Sequence, residues 1–245
     1  EADIKRGFDL GAERYISKPF STRNLMSQVQ EILDKPVEIK QKFIYNSEYE
    51  KSINNALQFW KEQSSHIDWF KKPEQIFTET NDGLQRWFSD GVLNTSYLCL
   101  DYHINNGRGN QTALIYDSPV TKTVRKYNYN ELRDEVAKLA GGLRSIGVQK
   151  GDTVVIYMPM IPQAVMAMLA CARIGAVHSV VFGGFAPHEL SIRIDEAEPK
   201  AIITSSYGIE FDKKIAYKPL VDHAIIEAHH KPRHTIVYQR EGLLA

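Results

Sequence analysis

The sequence of 245 residues lacks several features that would assign a functional class at once. Thirty basic residues balance thirty acidic ones, so no net charge draws the chain to nucleic acid or to an anionic membrane. There are only two cysteines, Cys99 and Cys171, in apolar surroundings, and we expect two buried thiols rather than a disulfide. The longest apolar stretch, 158–182, is interrupted by Pro162 and Arg173, which is typical of a buried helix and strand rather than a membrane span. We therefore expect a cytoplasmic protein, or a mitochondrial-matrix one in a eukaryote, without nucleic-acid or membrane partners.

Recognised nucleotide and acyl-enzyme motifs are also missing. The chain contains neither a G-x-G-x-x-G after a strand nor a G-x-x-x-x-G-K-[ST] phosphate loop. It has no G-x-S-x-G for a serine nucleophile. Because these motifs are absent, short motifs alone do not identify a function.

What is present is an alternation of strands and helices. A hairpin of two strands is predicted over 111–128, where Asn128 and Glu131 are spaced as a capping box for the next helix. Apolar helices, one with Pro162 in its first turn, then alternate with four strands, predicted at 152–158, 177–184, 200–206 and 234–240. Continuous β-branched runs favour an α/β fold, with a mostly parallel sheet covered by helices on both faces.

The first 36 residues have a residue pattern that differs from the rest of the chain. Tyr15 and Ile16 suit a strand that stops at Pro19, and apolar residues at helical spacing predict a helix from Ser21 towards Pro36. The stretch "GFDLGAERYISKPFSTRNLMSQVQEIL" (7–33) resembles the last third of a response-regulator receiver domain.

This resemblance implies that Lys18 contacts a phosphoryl group and that Tyr15 changes rotamer on activation. The family's phosphoacceptor aspartate and acidic metal pair belong to earlier strands that the chain does not contain. We therefore expect Lys18 to be a solvated lysine here.

Two segments connect this start to the α/β pattern. Residues 37–50 have little periodicity and are interpreted as a linker. Residues 51–105 are rich in aromatic side chains at irregular spacing. Such a surface could bind sugars or bases, but we favour aromatic residues that fill a loop-rich cap.

One metal candidate can be read from the histidines. His223, Glu227 and His230 would share one face of a predicted helix and could hold zinc. The alternative is a solvated polar face, which the neighbouring Asp222 and His229 favour. We therefore expect no metal.

A paired glycine follows the strand at 177–184. Gly183 and Gly184 stand at its carboxyl end, where ligands bind in open α/β sheets. Without Cβ atoms, they would let a ligand or another backbone segment approach closely. A tight strand-to-helix turn is the equally supported alternative.

The run from "GDTVVIYMPMIPQAV" through "VFGGFAPHEL" to "IITSSYGIE" resembles the AMP-forming acyl-CoA synthetases, in particular the short-chain acetyl and propionyl type. Residues 115–123 and 217–234 lean toward the propionate type, and 56–103 resemble the N-terminal cap of that subgroup. The implied domains are a receiver-like segment (1–36), a linker (37–50), a cap (51–105) and the first part of the AMP-binding domain (106–245).

The resemblance implies ligation of a short-chain carboxylate to coenzyme A (CoA), with ATP and Mg²⁺, through an acyl-adenylate. The family's phosphate loop, its adenine and Mg²⁺ residues and its catalytic lysine lie further on than Ala245. We therefore expect no catalytic residue and no ligase activity in this chain by itself, with the remainder of the same domain as its partner.

The same resemblance places part of a CoA-binding wall in the chain. It comprises Phe182, Gly183 and Gly184, followed by a segment at Glu210, Phe211, Asp212 and Lys213 where relatives carry an Arg-Gly-Gly-Lys type sequence. A carboxylate about 5 Å from a phosphate would cost about 3 kcal/mol at an effective dielectric constant of 20. Either Lys213, Lys214 or Lys218 takes the phosphate instead, or the segment does not bind CoA.

Two alternatives to the ligase stay open at this point. The chain could belong to a signalling protein in which a receiver controls an enzyme-like output domain. It could also be a non-catalytic CoA-binding scaffold. An upstream phosphoacceptor aspartate would favour the first, and loss of the downstream phosphate loop and lysine would favour the second.

Overall fold

The computed structural model of the chain describes residues 21–33, 39–184, 186–210 and 213–241, without the side chains at 22, 24, 32, 33 and 39–44. The chain divides into two compact units, Glu1–Ile67 and Asp68–Ala245. None of the helices within the described ranges has both the length and the apolar composition needed to cross a membrane.

The helices and strands are numbered in chain order. The helices are α1 (Thr22–Leu33), α2 (Ile39–Asn54), α3 (Ala56–Ser64), α4 (Thr95–Cys99), α5 (Asp101–His103), α6 (Tyr129–Ser145), α7 (Pro162–Ile174), α8 (Pro187–Ala197) and α9 (Tyr217–Glu227), and an irregular helical turn spans Ile104–Arg108. The strands are β1 (Phe77–Glu79), β2 (Gln85–Trp87), β3 (Thr112–Ser118), β4 (Thr123–Asn128), β5 (Thr153–Met158), β6 (Val177–Phe182), β7 (Ala201–Ser205), β8 (Tyr207–Glu210), β9 (Lys213–Ala216) and β10 (His234–Tyr238).

The first unit is helical in its described part. Helix α1 begins at Thr22, directly after Ser21, as predicted. Helix α2 begins at Ile39, so most of the segment interpreted as a linker is helical. The sequence explains this difference, because 39–54 contains no proline or glycine and several good helix formers.

The second unit contains a four-stranded sheet in the order β10-β7-β5-β6, and all of its neighbouring strands are parallel. Alternate residues of β5 and β7 point to opposite faces. Val154, Ile156 and Ile203 pack with α6 and α7 on one face. Val155 and Ile202 pack with α8 and α9 on the other. The predicted α/β class with a parallel sheet is confirmed.

Helix cover is complete over β5 and β7 but not over β6. All described side chains of β7 are buried, whereas Val177, Val180 and Phe182 on β6 are 54–70 % exposed. Strand β6 is one edge of the sheet and pairs only with β5 among the described strands. Helices α7 and α8 both contact β6 but leave these three side chains exposed.

The predicted helix signals near the sheet are confirmed. Asn128 accepts a hydrogen bond from the Glu131 backbone, and the Glu131 carboxylate accepts one from the Asn128 backbone. Pro162 occupies the first turn of α7. Together these residues fix where α6 and α7 begin.

Residues 68–103 belong to the segment 51–105 that was predicted as a cap, and their aromatic side chains are half-buried or exposed rather than fully buried. Phe70 is 61 % exposed and Trp87 is 45 % exposed. The rings instead meet at their edges, with centroid distances of 5.0 Å for Phe77–Trp87 and for Phe70–Tyr97. Two strands of three residues cannot enclose large rings, so the prediction of a filled cap is wrong.

Polar contacts join this cap to helix α7. Arg173 donates from both terminal nitrogens to the Asp101 carboxylate at 2.7 and 2.9 Å. The Asn94 side chain donates to the carbonyl groups of Ala172 and Arg173 at 3.1 and 3.2 Å. It also accepts from the Tyr97 backbone, so that it caps α4 while satisfying carbonyl groups at the end of α7.

The two cysteines differ in environment. Cys171 is buried, as expected, but Cys99 is exposed, and both are free thiols. Burial raises the pKa of the Cys171 thiol to about 12. The expectation of two buried thiols is therefore wrong for Cys99, because α4 leaves this residue on its outer face.

Candidate functional site

A cleft of about 770 Å³ lies at the carboxyl ends of the parallel strands. One wall is the end of β3 and the turn after it, and the other is formed by the segments that follow β5 and β6. Glu210 and Arg240 complete the lining. In open α/β sheets this edge is where ligands bind, so the cleft is the candidate site.

The paired glycine lies in this cleft, and its two members have different roles. A Cβ on Gly183 would lie 2.7 Å from the Tyr217 hydroxyl and 2.9 Å from the Met158 carbonyl oxygen. The close approach at Gly183 is therefore explained by the chain's own packing. The atoms nearest to a Cβ on Gly184 would belong to the Phe182 ring, at 2.7 Å, and this ring is 70 % exposed.

Two tyrosines that were not singled out in the sequence pack together beside the cleft: Tyr217 lines it next to Gly183, and Tyr157 packs against Tyr217. Tyr157 and Tyr217 are at most 3 % exposed, and their ring centroids are 5.0 Å apart. Burial raises the pKa of Tyr157 to about 12, with smaller contributions from Tyr217 and Glu210. Burial and Glu210 also raise the pKa of Tyr217, against a smaller opposing effect of Arg240. Both phenols therefore stay protonated at neutral pH.

The predicted phosphate-contacting segment is a hairpin. Glu210 ends β8 and is paired in register with Lys213 at the start of β9. Phe211 and Asp212 lie outside the described residues. The structure thus brings Glu210 to the same cleft as Phe182, Gly183 and Gly184, whereas Lys213 lies on the hairpin beyond its lining.

The three lysines considered for a phosphate group have different surroundings. Lys218 is held by both carboxylate oxygens of Asp222 at 2.7 Å. The Lys214 ammonium lies 5.2 Å from the centroid of the Tyr207 ring. Lys213 is exposed and makes no ion pair with another described residue. A role for any of them in binding stays a prediction.

Arg240 is a charged lining residue that sequence reasoning missed. It follows β10, and its guanidinium carbon lies 4.5 Å from the centroid of the Tyr207 ring. No local motif marks it in the sequence. The only available signal was its position two residues after the end of a parallel strand, where side chains reach the carboxyl edge of the sheet.

The metal candidate is not assembled in the described part of the chain. His223 and Glu227 do lie together, with Nε2 and Oε1 3.0 Å apart. Helix α9 ends at Glu227, however, and the His230 ring nitrogen lies 2.8 Å from the Pro199 carbonyl oxygen instead. Among the described residues, no group of three or more acidic, histidine or cysteine side chains is placed to hold a metal ion.

The receiver-like prediction rests on residues without a described structure. Tyr15 and Lys18 both lie outside the described ranges. The interpretation of residues 1–36 as a receiver-like segment therefore stays a prediction.

Comparison with protein families assigns the class. A model described as "AMP-binding enzyme" matches residues 102–245, and one described as "Acetyl-coenzyme A synthetase N-terminus" matches residues 45–99. The first covers more than half of the chain and includes the whole sheet and cleft. The chain belongs to the AMP-binding enzyme family.

Individual proteins with similar sequences make the family assignment more specific. The chain is similar to an uncharacterized protein of Pseudomonas aeruginosa, with 59 % identity over 80 % of this chain and 31 % of that protein. It is also similar to the mitochondrial acyl-CoA synthetase short-chain family member 3 of Bos taurus, with 49 % identity over 80 % of this chain and 29 % of that protein.

A solved acetoacetyl-CoA synthetase from Streptomyces lividans superimposes with a TM-score of 0.72 and 27 % identity, over 80 % of this chain and 30 % of that one. The chain thus spans about 30 % of the length of the relatives it matches.

Proposed function

We propose that this chain forms the CoA-facing N-terminal part of an AMP-forming short-chain acyl-CoA ligase, with propionate as the preferred acid. The overall reaction joins a carboxylate to CoA and converts ATP to AMP and diphosphate. A carboxylate is a poor acyl donor because its leaving group would be an oxide. Attack of the carboxylate on the α-phosphate of ATP makes AMP the leaving group, and the CoA thiol then displaces it.

Family membership and the two acyl-CoA synthetase relatives support the reaction class. The observation that carries the CoA part of the proposal is the open cleft beside the Phe182–Gly184 turn. The Phe182 ring packs closely against Gly184 and is 70 % exposed, and this apolar surface is suited to the partly apolar pantetheine arm of CoA. Arg240 on the same cleft is a cation suited to the phosphates, while Glu210 opposes them.

The chain's own role is then to bind and orient, not to catalyse. Tyr217, backed by the buried Tyr157, gives the cleft an uncharged, closely packed floor for the thiol arm. We propose that the ATP and Mg²⁺ sites and the catalytic lysine come from sequence beyond these residues. Incubating the chain with ATP, CoA and either propionate or acetate should therefore release no AMP above background. Release of AMP would contradict this part of the proposal, and the faster acid would then report the acid preference directly.

Thermal unfolding with increasing CoA tests the binding proposal. At a CoA concentration tenfold above Kd the native state gains about 1.4 kcal/mol. For a domain of this size that gain corresponds to a rise in Tm of about 3–5 °C. An unchanged Tm at millimolar CoA would contradict the proposal.

Two exposed phenylalanines provide matched variants. Phe182→Ala removes a ring that is 70 % exposed at the cleft, and Phe70→Ala removes one that is 61 % exposed in the cap. Both should unfold near the wild-type temperature without ligand, because little buried surface is lost. Only Phe182→Ala should reduce the CoA-induced shift. Equal shifts in the two variants would remove Phe182 from the binding surface.

A further inference from the structure

Arg240 is held rigidly at the cleft by contacts with one short segment. Its Nη1 donates to the Tyr207 carbonyl oxygen at 3.0 Å, and its backbone N–H donates to the Ser206 hydroxyl at 3.0 Å. The guanidinium lies over the Tyr207 ring at 4.5 Å. The Tyr207 hydroxyl in turn donates to the Glu241 carbonyl oxygen at 2.5 Å. These contacts fix the direction in which the guanidinium points, which lowers the entropy lost on binding a ligand.

The charge of Arg240 is not neutralised within the described part of the chain. The side chain is half-buried, yet no carboxylate of a described residue lies within ion-pair distance of it. Glu210 lines the same cleft without forming an ion pair with it. Of the five N–H donors on a guanidinium, only one makes a side-chain hydrogen bond to a described residue. A half-buried guanidinium whose other N–H groups lack a described partner can bind an anion from outside the chain.

The helices around the cleft add a field of the same sign. Helices α7, α8 and α9 all begin at the carboxyl edge of the sheet, after Ile161, Ala186 and Ala216. None of these three residues caps its helix with a side-chain hydrogen bond, in contrast to Asn128 before α6. The positive ends of three helix dipoles therefore face this edge without a side-chain cap, and only α8 has an acidic residue, Glu189, in its first turn.

We infer that Arg240 binds a phosphate group of the ligand that occupies the cleft. The planar guanidinium can offer two parallel N–H donors, an arrangement that matches phosphate oxygens. Naming that ligand as CoA rests on the proposed function. The phosphate is then bound by Arg240, which lies outside the 210–213 hairpin. Its positive charge explains how the cleft can accept a phosphate despite Glu210.

The test compares CoA with pantetheine, which has the thiol arm but no phosphate. Isothermal titration of the whole chain is carried out for the wild type, Arg240→Gln and Arg233→Gln. The control variant removes the same charge from an exposed arginine at the amino end of β10, away from the cleft. Arg240→Gln should weaken CoA binding by about ten- to a hundredfold and leave pantetheine unchanged. Arg233→Gln should change neither.

The outcomes separate this inference from the proposed function. Equal CoA affinity in all three proteins would overturn the role of Arg240 and leave the proposed function intact. Equal weakening of CoA and pantetheine in Arg240→Gln would show a purely structural role and also overturn the inference.

If CoA binds to none of the proteins, inorganic diphosphate is the deciding probe. If diphosphate binds in a way that depends on Arg240, the anion site is supported and CoA is contradicted as its ligand. If diphosphate does not bind, both the anion site and the CoA assignment are overturned. Should Arg240→Gln fail to fold, Arg240→Lys replaces it, because lysine keeps the charge but loses the paired donors. CoA binding should then weaken severalfold, and pantetheine binding should not change.

Discussion

Tyr217 lies between Gly183 and Gly208, and replacing Gly208 by alanine tests how tightly this floor of the cleft is packed. The new Cβ would lie 2.6 Å from two atoms of Tyr217, its hydroxyl oxygen and Cε1. Reaching an ordinary contact of about 3.4 Å requires a movement of about 0.8 Å. The ring cannot move freely, because it is 3 % exposed and its other edge contacts Gly183. We therefore expect Gly208→Ala to destabilise the second unit by about 1–3 kcal/mol.

Urea unfolding followed by circular dichroism measures this change through the midpoint at constant m. Gly141→Ala is the matched control, since an added Cβ there meets no atom within 4 Å and the residue lies within helix α6. That control should stabilise the protein by up to about 1 kcal/mol, because alanine is the better helix former.

The clash itself can be isolated with Tyr217→Leu in a double-mutant cycle. The smaller side chain leaves space for the methyl group, so Gly208→Ala should cost at least about 1 kcal/mol less in that background. A Gly208→Ala protein as stable as the wild type, or an equal cost in both backgrounds, would refute the reasoning about this packing.

Two further predictions concern titratable groups. The Arg173 guanidinium lowers the pKa of Asp101 below its usual value, so the pair stabilises the fold above about pH 4, and that stability is lost as the pH falls through the folded-state pKa. Asp101→Asn should cost about 1–2 kcal/mol at pH 7 and less at pH 3. A cost for Asp101→Asn that does not change with pH would contradict the assignment. The second concerns the thiols: a thiol reagent at pH 8 should label only Cys99 in the native chain and both cysteines in urea. The reason is that Cys171 is buried and its pKa is raised. Labelling of Cys171 in the native protein, located by mass spectrometry, would contradict this prediction.

Local sequence patterns were sufficient for the elements of the sheet. The runs at 152–158 and 200–206 were predicted as buried strands and form β5 and β7, because continuous β-branched residues can only be accommodated between two helix layers. The capping box at Asn128 and the proline at 162 were equally readable, since their hydrogen bonds and dihedral limits involve residues three or fewer positions apart.

The cap and the metal candidate show where local patterns failed. Aromatic composition predicted burial, but burial depends on how much chain surrounds each ring, and Phe70 and Trp87 remain exposed. The spacing of His223 and His230 assumed a helix that continued for seven residues. Helix α9 ends at Glu227, which turns His230 towards Pro199.

By itself the sequence determined the α/β class and placed the paired glycine at the end of a strand, because burial periodicity and turn chemistry act over a few neighbouring residues. Only the tertiary structure decided that Gly183 faces Tyr217 and that Arg240 lies on Tyr207, 33 residues earlier in the chain. Both contacts follow from the strand order β10-β7-β5-β6. That order depends on which long-range pairing buries the most apolar surface, and no short stretch of sequence contains this information.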